Sequence, residues 1–508
     1  MPIINSIISW LNVKRVYQIN FFKQYPVDVQ KETLLKLLDK AKNTEWGIKY
    51  NYKSIQSIEE YKQRVPLQDY ESLKPYIDRL RDGEQNLLWY EKIKWFAKSS
   101  GTTNNKSKFI PVSNESLEEC HFRGGKDTLA IYTENYPETK IFKGKSLTLG
   151  GSHHINNFNS ESYYGDLSAI LIQNLPFWVE LIRTPNVSIT LMEKWEEKIE
   201  QMAQATVKEN VTNIAGVPSW TLVLLKHVLE LSKKNNLLEV WPNLELFIHG
   251  GVSFSPYKEQ FKKIIPSEKM NYIETYNASE GFFSIQDDPN YEDMLLMLDY
   301  GIYYEFIPIE NVNDENPNVL SLDQVEINKN YAMVISTNGG LWRYIIGDTV
   351  KFTSKYPFRI NITGRIKHFI NAFGEELIID NAEKALQIAC EKTNSYIREY
   401  TAAPVYMKDN SKGAHQWLFE FEKPPKNIEY FAEVLDNALK SLNSDYEAKR
   451  YKNMTIDFPI ITCVKYGTFY KWLKLKGKLG GQHKIPRLAN SRDYIDELLQ
   501  INENLNDK

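Results

Sequence analysis

The sequence predicts an α/β protein built on a partly parallel sheet. Amphipathic helical patterns of ten or more residues alternate with short apolar strand patterns along most of the chain. A strand-rich stretch, residues 293–363, interrupts this alternation and indicates a smaller β-rich subdomain. The chain has 508 residues, of which 42% are hydrophobic and 25% are charged. This composition is typical of globular proteins, and it excludes a disordered chain or a fibrous repeat.

The spacing of apolar residues predicts each element in turn. We expect helices at residues 29–42, 192–209, 221–234, 257–265, 383–391 and 428–441, with an apolar docking helix at residues 1–10. We expect strands at residues 85–97, 141–151, 244–249, 269–276, 294–298, 302–307, 331–336, 342–346, 349–352, 401–407, 415–422 and 462–464. The alternation returns after Gly364-Arg365, which predicts a large domain at residues 1–364 and a small one at residues 365–508.

Charge and cysteine content limit the classes of partner and compartment. Lysine and arginine number 62 against 65 acidic residues, a net charge of −3, which does not fit a polycation that coats nucleic acid or membrane. Three distant cysteines without metal-ligand spacing favour a reducing, cytoplasmic compartment. No signal peptide or membrane-spanning stretch is apparent, so we expect no membrane partner.

The densest chemical signal is a polar loop after a strand pattern. It consists of Ser99, Ser100, Gly101, Thr102 and Thr103, followed closely by Lys106. Backbone amides freed by glycine, hydroxyl donors and a nearby ammonium suit a polyphosphate. The spacing is not that of the Walker A loop, and the alternative is an ordinary polar surface loop.

Two further motifs lie at strand ends. In Tyr276-Asn277-Ala278-Ser279-Glu280-Gly281, an aromatic ring suited to a purine precedes a carboxylate suited to Mg²⁺. In Tyr344-Ile345-Ile346-Gly347-Asp348, the carboxylate follows an apolar strand and can accept both ribose hydroxyls. Each motif also has a simpler interpretation. Glu280 can be a solvated charge in a strand-end turn, and Asp348 can be an ordinary turn residue.

Basic residues mark the predicted domain junction and the last part of the chain. Gly364, Arg365 and Lys367 fit either a hinge whose cations contact phosphate or a plain linker. Residues 458–492 carry eight cations and no acidic residue. A solvated face or a nucleic-acid contact is the alternative, but a glycine-rich loop that delivers a lysine to phosphate fits the segment better.

Taken in this order, the motifs resemble those of the adenylate-forming superfamily, and specifically the acyl acid amido synthetases of the auxin-responsive Gretchen Hagen type. Gln482-His483-Lys484-Ile485-Pro486-Arg487 resembles the C-terminal signature of that family, and Val464 to Phe469 resembles its Gly-Thr-Phe segment. The matches extend from residue 99 to residue 487. Departures include Asn104-Asn105 before Lys106 and Ile345 in the ribose motif, and His121-Phe122-Arg123 looks like a feature of microbial relatives. We therefore expect a microbial member of this family.

The resemblance implies an adenylate-forming fold with a large N-terminal domain for ATP and the acyl acid and a small, mobile C-terminal domain. It implies a cytoplasmic ligase that uses ATP and Mg²⁺ to form an acyl-adenylate and pyrophosphate, and then transfers the acyl group to an amine, expected to be that of an amino acid. The implied nucleotide residues are Ser99, Ser100, Gly101, Thr102, Thr103, Lys106, Gly250, Gly251, Tyr276, Asn277, Ser279, Glu280, Tyr344 and Asp348, with Glu280 also holding the metal.

The catalytic candidates are cations of the C-terminal part. Lys484 is the first choice for the lysine that contacts the leaving phosphate, and Lys478 is the second. Arg365 and Lys367 lie at the expected hinge, where rotation of the C-terminal domain would change which groups face the α-phosphate between the two half-reactions. Arg123, Val217 and Trp220 are the candidates for the acyl-acid pocket, although Trp220 fits core packing and Arg123 fits a surface position as well.

Other functions remain open at this point. The first alternative is an acyl-CoA ligase with a thiol acceptor, and the second is a nucleotide-binding protein without catalysis. We expect a monomer that binds a small carboxylic acid and an amine but no nucleic acid. The sequence does not identify the acid.

Overall fold

The computed structural model describes most of the chain. The described residues are 14–99, 108–150, 156–159, 161–192, 194–251, 254, 257–312, 314–366, 369–370, 377–405, 413–443, 446–447, 450, 456–477, 485–489 and 491–505. The expected docking helix at residues 1–10 lies outside them.

The chain divides into two compact units. The first comprises Met1–Val252, Gln260–Ile346 and Val350–Asn361, and the second comprises Ser253–Glu259, Gly347–Thr349 and Ile362–Lys508. Each unit has its own apolar core, the first around residues such as Leu34 and Tyr304, and the second around residues such as Trp417 and Phe431. The expected domain boundary after residue 364 stays a prediction.

Twenty-one strands are found in the described part of the chain. They are β1 (Trp95–Ser99), β2 (Lys108–Val112), β3 (Lys145–Thr148), β4 (Asn156–Asn157), β5 (Tyr163–Gly165), β6 (Arg183–Thr184), β7 (Val211–Gly216), β8 (Leu246–Gly250), β9 (Asn271–Ala278), β10 (Gly281–Ile285), β11 (Met294–Leu296), β12 (Ile302–Pro308), β13 (Leu320–Ser321), β14 (Asn330–Thr337), β15 (Tyr344–Lys355), β16 (Phe358–Arg365), β17 (Phe369–Ile370), β18 (Leu377–Ile378), β19 (Tyr396–Val405), β20 (Ala414–Lys423) and β21 (Ile460–Cys463).

A twelve-stranded mixed sheet carries most of the predicted site. Its strand order is β13-β12-β14-β15-β16-β11-β10-β9-β8-β7-β3-β6. Strands β6, β3, β7, β8 and β9 run parallel to one another. Strand β10 is antiparallel to β9, and β11 is antiparallel to β10 and β16. Strand β12 is antiparallel to β13 and β14 as well. The strand-rich stretch therefore adds antiparallel strands to the sheet whose parallel strands come from the alternating stretch.

Helices and smaller sheets complete the two units. Helices with seven or more described residues are 14–24, Pro26–Ala41, Ile58–Arg64, Tyr70–Arg81, Arg123–Asn135, Leu167–Gln173, Trp195–Thr206, Pro218–Ser232, Lys258–Ile264, Ile379–Thr393, Ile428–Leu442, Thr468–Leu475 and Asp493–Glu503. A four-stranded sheet in the order β2-β1-β5-β4 belongs to the first unit, and a three-stranded sheet in the order β19-β20-β21 belongs to the second. Among the described residues, no helix has the length and apolar character needed to cross a bilayer.

Two strand predictions differ from the structure for physical reasons. The expected pair at residues 342–346 and 349–352 is one strand, β15, because Gly347 continues the strand at a φ of 94° that other residues rarely adopt. The expected strand at residues 85–97 shortens to β1, since Gln85 ties the preceding turn by accepting from the Ile93 amide at 2.8 Å.

Candidate active site

The segment Tyr276–Gly281, here named the adenine motif, forms a tight hairpin at the point where the large sheet changes from parallel to antiparallel strands. Strand β9 ends at Ala278, which pairs with Gly281 at the start of β10, so only Ser279 and Glu280 connect the two strands. Ser279 is buried and Glu280 is half-buried. The short connection keeps Glu280 close to Tyr276, which lies four residues earlier on β9.

The Tyr276 ring is packed into the core of the first unit. Its side chain is 5% exposed, and its ring centre lies 4.8 Å from that of Phe283, with a tilt of 59° between the planes. An aromatic pair of this geometry is stabilising. The buried Tyr276 ring therefore fits a position beneath a purine better than that of an exposed ring on which a purine stacks.

The parallel strands β7, β8 and β9 end in one row beside this hairpin. Gly216 pairs with His249, and Gly250 pairs with Thr275 directly before Tyr276. Ligands of open α/β sheets bind outside the carboxyl ends of the strands, which is the edge that this row forms. The structure thus brings the predicted Gly250 and Tyr276 together from neighbouring strands.

Gly250 and Gly251 have separate geometric reasons to be glycine. A Cβ atom on Gly250 would lie 2.3 Å from the Thr275 carbonyl oxygen, so no larger residue fits against β9. Gly251 has a φ of 81° and is exposed. Together they let the chain turn away directly after the strand, as expected for a wall that approaches a ligand closely.

Val217 and Trp220 follow the end of β7. Val217 precedes helix Pro218–Ser232, and Trp220 lies in its first turn. Trp220 is 9% exposed, whereas Val217 is half-buried. Both residues lie at the same sheet edge as the hairpin, two strands away from β9, which is compatible with the acyl-pocket role predicted for them.

Arg123 is engaged by acceptors of this chain. Its guanidinium forms an ion pair with Glu119 one helical turn earlier, and it donates to the Asp299 carbonyl oxygen at 3.2 Å. These contacts favour a structural role for Arg123, so the predicted contact with an acid stays a prediction without geometric support.

The ends of the phosphate loop are held by a strand pair. Ser99 at the end of β1 pairs with Lys108 at the start of β2. Ser100, Gly101, Thr102, Thr103 and Lys106 lie outside the described residues, as does the side chain of Ser99. The Lys108 ammonium lies 3.5 Å from the Tyr344 hydroxyl, a long contact that joins the end of this loop to the start of the ribose motif.

The first part of the ribose motif is anchored in the core. Tyr344 is fully buried, and the residue after it, Ile345, donates its amide to the Gln68 carbonyl at 2.8 Å. The preceding Arg343 forms two hydrogen bonds to the Glu305 carboxylate, at 2.9 and 3.0 Å. Arg343 also donates to the carbonyls of Lys62 and Val65, at 2.8 and 2.7 Å.

Asp348 belongs to the second unit. It lies on β15 and is 6% exposed. Gly347 before it accepts a hydrogen bond from the Ile366 amide at 2.7 Å, and Thr349 after it contacts the Thr363 hydroxyl at 3.0 Å. The segment that carries Asp348 is therefore bonded on one side to β16 and on the other to Ile366, the residue that follows β16.

The predicted catalytic cations lie largely outside the described residues. Lys484, Lys478 and Lys367 are not among them, and Arg365 is described only as the last residue of β16. The segment directly after Lys484 is described. Pro486 accepts a hydrogen bond from Thr401 at 2.5 Å, and the Ala402 amide donates to the Arg487 carbonyl at 2.9 Å.

Arg487 of the C-terminal signature is an anchor of the second unit. Its guanidinium donates to the Glu399 carboxylate at 2.5 Å and lies 4.7 Å from the centre of the Tyr400 ring. The signature therefore ends beside β19, and its arginine is bound by protein groups.

Sequence reasoning gave no catalytic or binding role to His121. This residue lies in the π-helical turn Leu117–Phe122 and is 5% exposed. Its Nδ1 atom is 3.0 Å from the Asn277 side-chain oxygen. Burial lowers the pKa of His121 to about 4, so its imidazole is neutral at pH 7. The π-helical turn was the only local signal, and it is visible only in the fold.

Two more buried ionisable groups lie on the parallel half of the sheet or beside it. Burial lowers the pKa of Lys198 to about 8, and its ammonium donates to the Gly150 carbonyl, just beyond β3, at 2.8 Å. Burial and the charge of Glu292 raise the pKa of Glu274 on β9 to about 7. At pH 7 Lys198 therefore keeps most of its charge, whereas Glu274 is divided between its charged and neutral forms.

The described residues contain no group of three or more histidine, cysteine, aspartate or glutamate side chains that could hold a metal by themselves. Mg²⁺ is commonly bound by one or two carboxylates together with substrate phosphates and water. The half-buried Glu280 at the hairpin turn fits such a single-carboxylate role.

Comparison with known proteins gives the family. The model of the GH3 family N-terminal domain matches residues 15–270, that of the central domain residues 295–365, and that of the C-terminal domain residues 380–493. The chain belongs to the GH3 family. This is the Gretchen Hagen family that the motifs resemble, and this GH3 chain contains all three parts in order.

Similar proteins agree with this membership. The GH3 chain is 26% identical to the jasmonoyl-L-amino acid synthetase GH3.5 of Oryza sativa subsp. japonica, over 93% of this chain and 94% of the relative. It superposes on the GH3.15 acyl acid amido synthetase with a TM-score of 0.76, 18% identity and coverage of 94% and 93%.

A more distant structure shares the fold. A 2-hydroxyisobutyryl-CoA ligase in its postadenylation state superposes with a TM-score of 0.58 and 12% identity, covering 94% of this chain and 92% of that one. The adenylate-forming α/β fold is therefore confirmed, and the GH3 chain is a ligase of the acyl acid amido synthetase type.

Proposed function

We propose that this chain joins a carboxylic acid to the amino group of an amino acid in two steps driven by ATP. In the first step a carboxylate oxygen attacks the α-phosphorus of ATP, and pyrophosphate leaves. In the second step the amine nitrogen attacks the acyl carbon, AMP leaves, and the amine gives up a proton. The hairpin beside the ends of the parallel strands is the observation that carries the proposal.

The residues of the first unit divide this work by position. Tyr276 forms the floor under the purine, Gly250 and Gly251 form a wall, and Asn277 and Ser279 complete the hairpin. Val217 and Trp220 border the acyl group. When it is bound, Mg²⁺ supplies charge neutralisation at the phosphate oxygens, and Glu280 is the residue that would hold it.

The remaining nucleotide and catalytic roles rest on the family resemblance. We assign the β- and γ-phosphates to Ser99, Ser100, Gly101, Thr102, Thr103 and Lys106, with Tyr344 and Asp348 serving the ribose. We assign the contact with the leaving phosphate to Lys484 as the first choice and to Lys478 as the second. Arg365 and Lys367 lie at the hinge after residue 364.

Compartment, assembly and origin belong to the same proposal. Cys120, Cys390 and Cys463 are free thiols in the structure, which supports a reducing, cytoplasmic location. We propose a monomer without a nucleic-acid partner. A microbial origin stays a prediction, since the curated relative reported above is a plant protein.

Acid-dependent exchange between ATP and pyrophosphate tests the first step. We expect at least one acid of a library of aryl and aliphatic carboxylic acids to support exchange, because acyl-adenylate formation is reversible. Absence of exchange with every acid, together with retained ATP binding, would favour a nucleotide-binding protein without catalysis.

The acceptor distinguishes the proposal from an acyl-CoA ligase. The active acid is incubated with ATP, Mg²⁺ and either CoA or pooled amino acids, and the products are identified by mass spectrometry. We expect an amide. A thioester without amide would replace the amido synthetase assignment with the ligase alternative.

Glu280→Gln tests the metal role within the hairpin. The amide keeps the shape of the side chain but removes the charge that Mg²⁺ prefers, so we expect exchange to fall at least about 100-fold. Glu310→Gln at an exposed position is the matched control and retains wild-type exchange. Exchange at the wild-type level in Glu280→Gln would remove Glu280 from the site.

A further inference from the structure

The π-helical turn Leu117–Phe122 contacts both strands of the hairpin that contains Tyr276–Gly281. Asn277 on β9 and Phe282 on β10 are partners across the hairpin. The consecutive residues Cys120 and His121 contact this pair. His121 contacts the Asn277 side chain at 3.0 Å, and the Phe282 backbone amide donates to the Cys120 sulfur at 3.2 Å. One turn thus holds one residue of each strand.

The contact is close, and both Cys120 and His121 are buried. Cys120 is 1% exposed, and burial raises the pKa of its thiol to about 12, so it stays an uncharged acceptor for the Phe282 amide. One turn later, a Cβ atom on Gly124 would lie 2.5 Å from the Phe282 ring. The helix can approach the hairpin this closely only because position 124 is glycine.

The chemistry of the His121 contact fixes the position of its proton. The neutral imidazole has one nitrogen that donates and one that accepts, and an amide oxygen only accepts. Nδ1 therefore carries the hydrogen and donates it to the Asn277 side-chain oxygen. The imidazole acts as a rigid, uncharged donor.

The position of Asn277 gives this hydrogen bond its meaning. Asn277 is exposed, whereas the imidazole that binds it is buried. Asn277 follows Tyr276 directly and precedes Glu280 by three residues. A shift of Asn277 would displace the ring and the carboxylate to which the proposed function gives the purine and Mg²⁺.

We propose that His121 is a positioning residue of the adenylation site, which donates from Nδ1 to Asn277 and so fixes the hairpin that carries Tyr276 and Glu280. This inference rests on the proposed function. It adds a residue more than 150 positions away from the motif that it positions.

Three substitutions distinguish the effect of the hydrogen-bond donor of His121 from that of its side-chain volume. In His121→Asn the side-chain amide nitrogen can occupy the place of Nδ1, whereas in His121→Gln it reaches toward the place of Nε2. His121→Ala removes both donor and volume. His227→Ala is the control, because His227 contacts Glu200 and Glu230 at the surface of the first unit.

The readout is the dissociation constant of MgATP, measured by calorimetry without any acid. Loss of a buried hydrogen-bond partner predicts about 10- to 100-fold weaker binding for His121→Ala and His121→Gln. His121→Asn should stay within about threefold of the wild type, and His227→Ala should be unchanged. If Gln restores binding better than Asn, or if all three variants bind MgATP as the wild type does, the inference is overturned.

Amide hydrogen exchange of residues 276–283 gives a readout that does not require a nucleotide. We expect faster exchange at these amides in His121→Ala and His121→Gln, and exchange at the wild-type rate in His121→Asn. Equal exchange in all variants would overturn the inference. If the wild type fails to bind MgATP, the proposed function fails and the exchange measurement alone decides the role of His121. If His121→Ala does not fold, the comparison of Asn with Gln decides it.

Discussion

Arg343 lies directly before the ribose motif, and its guanidinium is directed into the core of the first unit. It is 5% exposed and is held by Glu305, whose side chain is 1% exposed. Its own φ is 42°, a conformation that non-glycine residues rarely adopt. The ion pair and the two carbonyl contacts keep the chain in this conformation just before Tyr344.

Substitution of Arg343 tests that anchor. Arg343→Met leaves the Glu305 carboxylate buried without its partner, so we expect the free energy of unfolding to fall by about 3 to 5 kcal/mol in urea denaturation. The double variant Arg343→Met/Glu305→Leu removes both charges and should regain most of that loss. A double variant no more stable than the single one would show that the pair is not the source of the effect.

His121 predicts an acid-sensitive component of stability. Its folded pKa of about 4 lies below its ordinary value of 6.5, so between these pH values the unfolded chain binds a proton that the folded chain does not. The free energy of unfolding should therefore fall by about 1 to 3 kcal/mol from this residue as the pH drops from 6.5 to 4. The measurement compares urea denaturation of the wild type and His121→Asn at both pH values. An equal acid-induced loss in both proteins would contradict the prediction.

At the scale of elements, the helix Arg123–Asn135 begins with two adjacent glycines in different surroundings. A Cβ atom on Gly124 would meet the Phe282 ring, whereas one on Gly125 would meet nothing within 4 Å. The two positions therefore form a natural pair of probe and control on one helix.

Gly124→Ala should destabilise the first unit by about 1 to 3 kcal/mol, because the ring of a buried hairpin residue must move. Gly125→Ala should be neutral or stabilising by up to about 1 kcal/mol, since alanine favours the helix. Thermal denaturation and MgATP binding measure both. If the two alanines behaved alike, the close approach of helix and hairpin would not be energetically important.

The elements also show what a sequence can predict. Helix 428–441 and strand 302–307 were predicted within one residue of Ile428–Leu442 and Ile302–Pro308, because their apolar periodicity is strong. The strand and turn of the adenine motif were predicted for the same reason. The contact between His121 and Asn277 was not, because it joins residues that are 156 positions apart.

At the scale of the whole molecule, each unit has a core of its own. Phe431 is fully buried in the core of the second unit, whereas its neighbour Tyr430 is 47% exposed. Separate cores allow the units to unfold as separate cooperative transitions.

Scanning calorimetry should reveal this independence. Phe431→Ala removes a large buried ring and should lower the transition of the second unit by the equivalent of about 3 to 5 kcal/mol, leaving that of the first unit in place. Tyr430→Ala should shift neither transition appreciably. A parallel shift of both transitions in Phe431→Ala would indicate that the two units unfold together.

The order of motifs predicted the family and the fold of the whole chain, because the motifs of the N-terminal, central and C-terminal parts follow one another as the family models do. The single twelve-stranded sheet was not predicted. Its two halves differ in periodicity along the chain, and only pairing between β9 and β10 joins them.

That junction has a consequence for protein engineering. The hairpin joins β9 to β10, whereas Val217 and Trp220 follow β7, two strands away from β9 in the sheet. If Val217 and Trp220 border the acyl group as proposed, library mutagenesis of residues 217–221 would change the choice of carboxylic acid without altering the hairpin sequence. Under that proposal, residues that follow β7 bind the acid and the hairpin binds the purine, so a single scaffold would serve different amides.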